Sequence, residues 1–108
     1  MTYLELDRRD QKMIALMGAV AFGRLENFII EDGFAQATAD SLQIITDNYE
    51  HDDAPRIPKR DDGNFILTEK HVRFLRRIRR VKNGKIKSIT IRFGLPVSSE
   101  IAEAVESI

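Results

Sequence analysis

Cysteine and tryptophan are absent from this chain, and proline occurs only three times in 108 residues. Without cysteine there can be no disulfide framework, thiolate zinc site or cysteine nucleophile. Long apolar runs are missing too. The longest, Met13 to Gly23, is eleven residues and too short to cross a bilayer. The opening MTYLELDRRDQK puts charges where a signal peptide needs an apolar core, so a cytoplasmic protein is expected, with no membrane partner. No phosphate-binding glycine loop or nucleophile elbow is present, and His71 has no nucleophile beside it. His51, Asp52, Asp53, Asp61 and Asp62 lack any metal-ligand spacing. The expectation is a protein that is not an enzyme and carries no metal or cofactor.

What is present is charge, sorted along the chain. Lys70 to Ser99 holds ten of the seventeen basic residues and no acidic one. Residues 1–69 carry seven basic and fourteen acidic residues, and the last nine carry three Glu, so the net charge is zero. Ten cations within thirty residues repel one another unless an anion lies against them, either from a partner or from the acidic part of the same molecule.

One domain is expected over 1–108, organised as an acidic helical hairpin (1–49), a loop (50–66) and a basic C-terminal unit (67–108). Asp7 is a suitable N-cap with Asp10 in the first turn, and Asp32-Gly33 supplies a stop, which predicts a helix over 8–31. Met13 to Ile30 is apolar nearly all round, interrupted only by Arg24, Glu26 and Asn27. Such a helix belongs at the centre of a core or at a homodimer seam, with Ala15, Ala19 and Gly23 as a close-packing ridge. Phe34, Thr38, Leu42, Ile45 and Tyr49 share a face at helical spacing, predicting a second helix over 34–49. Residues 50–64 are charged, contain Pro55, Pro58 and Gly63, and show no period, as in a loop. No internal repeat is read.

Thr68 as N-cap, an apolar arc of Val72, Phe74, Leu75, Ile78 and Val81, and a stop at Asn83-Gly84 predict a helix over 68–82. A hairpin turning at Asn83-Gly84 would set Lys82 against Lys85 and Arg80 against Lys87, and like charges facing each other favour the helix. Residues 85–93 fit two periods. Ile89, Ile91 and Phe93 alternate as in a strand, with Tyr3–Leu6 or Phe65–Leu67 as pairing partner, while Ile86, Ile89 and Phe93 stand at helical spacing. Val97, Ile101, Val105 and Ile108 line one face of a last predicted helix.

Three segments can be read as an opening helix LTEKHVRFLRRIRR, a short helix KIKSITIRF turning at Gly94, and a last helix VSSEIAEAV. In that arrangement residues 67–105 resemble a helix-turn-helix DNA-binding unit. The resemblance implies a mainly α fold, a helical hairpin followed by a helix-turn-helix-like unit, and a role in transcription regulation. If 85–93 is a strand, the fold is instead α+β.

Lys70, Arg73, Arg76, Arg77 and Arg80 gather on the polar arc of the 68–82 helix, and Lys85, Lys87 and Arg92 follow. Six of the ten cations in the basic stretch are Arg, suited to bidentate phosphate or carboxylate contacts. These eight residues are the candidate nucleic-acid contacts, with duplex DNA favoured. The alternatives are an acidic protein surface docking on the same residues, or mimicry of DNA by the acidic half. Phe74 and Phe93, the aromatics of the stretch, are both expected to be buried, so stacking of single-stranded bases is not predicted.

Overall fold

The computed structural model describes residues 1–47, Tyr49 and residues 64–105. After one 3-10 turn at Tyr3–Glu5 come helix α1 (Arg8–Val20) and strands β1 (Gly23–Glu31) and β2 (Phe34–Ile45). Helix α2 (Glu69–Val81) and strands β3 (Gly84–Arg92) and β4 (Leu95–Ala102) follow. The strands form one antiparallel sheet in the order β2-β1-β3-β4. The fold is α+β, which corrects the mainly α expectation. Neither the helix hairpin over 1–49 nor the helix-turn-helix-like unit over 67–105 forms; each region instead has one helix followed by a β-hairpin. The α+β alternative agrees with β3, although β3 pairs with β1 and β4 rather than with Tyr3–Leu6 or Phe65–Leu67. Those two segments meet each other, Tyr3 N–H donating to the Phe65 carbonyl at 2.8 Å. The loop predicted over 50–66 lies outside the described residues for 50–63.

The helix expected to run to Glu31 stops at Val20 for a backbone reason. Ala21 takes φ +60 while its N–H still bonds to Met17 O (3.1 Å), and Gly23 follows at φ +147. Asp32-Gly33 is a two-residue hairpin turn with both φ positive (53° and 84°), not a helix stop. Both central strands contain an irregularity that conceals their alternation. Leu25 and Phe28 face the core three residues apart because the β1–β2 register shifts between Glu26 and Phe28, at Asn27 with φ +62. The β3–β4 register shifts between Ile86 and Ser88, so Ile86 and Ile89 are again three apart. A bulge at mid-strand thus turns a spacing of two into the spacing of a helix.

The two halves of the chain share one αββ order of elements. Arg8 and Glu69, Gly23 and Gly84, and Phe34 and Leu95 each open equivalent elements 61 positions apart, a recurrence of architecture rather than of residue identity. The correspondence reaches the core. Met13, Ile14, Met17 and Val20 of α1 match Phe74, Leu75, Ile78 and Val81 of α2, while Leu25, Phe28 and Ile30 match Ile86, Ile89 and Ile91, all of them buried. It reaches the backbone as well. Ala21 and Lys82 share φ near +60°, Gly33 N–H donates to Lys82 O, and Gly94 N–H donates to Ala21 O, so each hairpin turn is tied to the other unit's helix end.

Both helices pack on one face of the sheet, where their apolar residues and those of β1 and β3 form a single core. Met13, Met17 and Val20, which the long-helix reading offered to a homodimer seam, are buried inside the protomer itself. The other sheet face is uncovered among the described residues. Cross-strand rows there read Ile44–Arg24–Thr90–Ser98 and Leu42–Glu26–Ser88–Glu100, all exposed or half-buried. No helix of the described residues is long and apolar enough to cross a membrane.

Candidate nucleic-acid interface

Helix α2 begins where its sequence says it should. Thr68 Oγ1 accepts from His71 N–H (3.3 Å), and Thr68 N–H donates to His71 Nδ1 (3.3 Å), a reciprocal capping pair with His in the place usually held by Glu. Glu69 in the first turn and Arg79 and Arg80 in the last complement the helix dipole. His71, Phe74, Leu75, Ile78 and Val81 face the core, which leaves Lys70, Arg73, Arg76 and Arg80 exposed and Arg77 half-buried on the outside.

The eight candidate residues do not form one surface. The five on α2 lie on the outer side of the helical layer. Lys85 and Arg92 lie on the sheet face away from the helices, separated from α2 by the thickness of the core, and Lys87 lies at the β3 irregularity. Lys70, Arg73 and Arg77 also line a groove of about 260 Å³ between α2 and the edge strand β4, facing Val97, Ser98 and Ser99. Residues 97–105, expected as the last helix of the helix-turn-helix-like unit, instead supply most of that strand, Leu95–Ala102.

Among the described residues, the N-terminal unit does not neutralise the outer face of α2. Arg73 pairs with Glu69 (2.7 Å) and Arg77 with Glu103 (3.0 Å), neither of them from the N-terminal unit. Both pairs are exposed, and such pairs contribute about 0–1 kcal/mol, so a phosphate can displace either carboxylate. Arg76 and Arg80 have no ion pair among the described residues. Of the residues considered for DNA mimicry, Asp40 and Asp47 are exposed in or just after β2; Glu50, Asp52 and Asp53 lie outside the described residues.

Arg79 is the cation the first half does claim. It leaves the outer face to donate to Asp10 and to the Gly33 carbonyl, and its guanidinium carbon lies 4.1 Å from the centre of the Phe34 ring, over which Arg9 also lies at 3.6 Å. Burial holds the Asp10 carboxyl above its ordinary range, and Arg79 opposes that shift. The sequence carried a sign of this, because Asp10 precedes Met13, Ile14 and Met17 at helical spacing and so sits on the apolar face.

Asp10 and His71 are the buried polar residues of the described chain, and they occupy equivalent positions in the two units. The counterpart of Arg79 is Gly18, so among the described residues His71 has no equivalent ion pair, and its Nε2 is buried without a well-formed hydrogen bond. Burial pushes the His71 pKa below the ordinary 6.5, and the Gly94 backbone counters this only in part. The stability His71 contributes is therefore full above pH 6.5 and is lost as pH falls through its lowered folded value. Melting temperature measured between pH 7.5 and 5 should drop with pH. In His71→Gln, which keeps a capping side chain, the drop should be shallower. Equal slopes would show that His71 is not the titrating group.

Compared with known proteins, the chain matches no family, no curated protein and no solved structure.

Proposed function

We propose that this protein binds nucleic acid by laying the outer face of α2 along phosphates, with duplex DNA the favoured form. The observation that carries the reading is the unneutralised charge of that face. Arg76 and Arg80 have no internal anion among the described residues, and Arg73 and Arg77 hold theirs only through exposed pairs. Five cations on a rigid, capped helix repel one another in the free protein, and a row of phosphates relieves that repulsion while releasing condensed counterions. The contact surface is Lys70, Arg73, Arg76, Arg77 and Arg80. Lys85, Lys87 and Arg92 lie apart from it.

Five phosphate contacts predict that log K falls with log salt at a slope of about −4.5, and removal of two lowers it to about −2.7. Titration of a labelled duplex at several salt concentrations should show that difference between wild type and Arg76→Gln/Arg80→Gln. Both side chains project into solvent, so the fold should be unchanged. Lys85→Gln/Lys87→Gln should leave the duplex slope as it is. Absence of duplex binding at low salt, or a slope indifferent to Arg76 and Arg80, would overturn the reading and favour an acidic protein partner on the same face.

A further inference from the structure

The far end of the sheet, where β3 turns into β4, holds a feature that phosphate contacts on α2 do not use. Phe93 stands at φ +54, the first of two central residues in a hairpin turn whose second is Gly94 at φ +72. That position favours Asn, Asp or Gly, and a bulky side chain there is an outlier. The equivalent residue of the first unit is the ordinary one, Asp32 at φ +53. Burial does not repay the strain, since Phe93 is 61% exposed, contrary to the expectation that it is a core residue. Its ring is nevertheless held in place, meeting Phe22 edge-on with centroids 4.9 Å apart. Strained, ordered and exposed aromatic residues are a mark of binding sites.

Phe22, which the ring meets, and Arg92, its chain neighbour, line a depression of about 310 Å³ together with Arg24, Thr46 and Thr90. Arg24 is engaged with Glu26 at 3.2 Å, whereas Arg92 has no ion pair among the described residues. No side-chain hydrogen bond engages the Thr46 or Thr90 hydroxyls among those residues. An apolar aromatic face, a free guanidinium and two hydroxyls within one small area match a base joined to a phosphate.

We propose that this end of the sheet is a second contact, in which an unpaired nucleotide of a single strand stacks its base on Phe93 and sets its phosphate against Arg92. Duplex bases are already stacked and present no free face, so a single strand is the source the ring selects. The proposal extends the nucleic-acid reading but uses none of the α2 residues, so the two can fail separately.

Because the chain has no tryptophan, Phe93→Trp places a lone reporter at the site. Its emission should be quenched on titration with oligothymidylate. Phe93→Asn suits the turn, so it should raise the melting temperature while weakening oligothymidylate binding by roughly 5- to 150-fold, the range seen for loss of one stacked base. Arg92→Gln should weaken binding less. The proposal is overturned by unchanged Trp emission at saturating oligonucleotide, or by undiminished strand binding in Phe93→Asn. A change of oligomeric state in Phe93→Asn without loss of strand binding would make Phe93 a subunit contact instead. Thymidine monophosphate quenching as tightly as the strand would overturn the single strand as source and reassign the site to free nucleotides. If the Trp is quenched but duplex binding is absent, only the α2 reading falls.

Discussion

Replacing Arg79 with Ala should destabilise the protein by about 3 kcal/mol at neutral pH, a large share of the roughly 5–15 kcal/mol that holds a domain folded. The substitution strands the Asp10 carboxylate, whose side chain is 1% exposed, and withdraws the guanidinium from the Gly33 carbonyl and the Phe34 ring. The expected loss lies at the lower end for a broken buried pair because Arg79 is itself 38% exposed and Asp10 can take up a proton. The pH dependence follows from the raised Asp10 pKa. The penalty belongs to the ionised carboxylate, so it should shrink as pH falls through that raised value. Lys at position 79 restores the charge without the fork that reaches two acceptors, and should recover only part of the loss. Denaturant unfolding of the variants and of Asp10→Leu/Arg79→Met, which replaces both partners by apolar groups, separates these contributions. A loss under about 1 kcal/mol in Arg79→Ala would show that the pair does not tie the units together.

Gly23→Ala should be at least as damaging, for a reason in the backbone. Gly23 has φ +147, and an added Cβ would stand 1.9 Å from the Ile44 carbonyl oxygen in the neighbouring strand. The strained conformation alone costs about 1–3 kcal/mol, and relieving the overlap means parting β1 from β2. A total above roughly 3 kcal/mol is expected. Gly84, the same position in the second unit, has no positive φ, and its Cβ would meet Ala102 O at 2.7 Å, a smaller overlap than at Gly23. Gly84→Ala should therefore cost less, about 1–2 kcal/mol. Equal losses for the two, measured by chemical denaturation, would contradict this account.

Helix α2 was legible because every local signal agreed: the Thr68 cap, the apolar arc and the Asn83-Gly84 stop bracket the observed Glu69–Val81. The start of α1 at its Asp7 cap was legible for the same reason. Its end was not, because Leu25, Phe28 and Ile30 extend the apolar run at spacings that a bulged strand and a helix share. Strand β2 was hidden more deeply. Its register jumps from Leu42 opposite Glu26 to Ala37 opposite Phe28, and the Thr38 and Ser41 hydroxyls in between bond to Asn27 O rather than continuing an alternation. The cations of α2 could be placed from the sequence, but not their separation from Lys85 and Arg92. That separation depends on β3 being a strand with the helices on its other face.

The 61-residue correspondence also bears on how the molecule meets its surroundings. Arg76, Arg77, Arg79 and Arg80 have as counterparts Ala15, Leu16, Gly18 and Ala19, whereas Lys70 and Arg73 keep the cations Arg9 and Lys12. The backbone is nearly two-fold, but beyond the fifth residue of each helix the helical cations are confined to α2. For the duplex proposed to bind α2, the helical layer thus offers cations on one side only. On the proposed reading a palindromic duplex would be engaged through α2 alone, and the internal symmetry of a single chain would impose no half-site spacing on it.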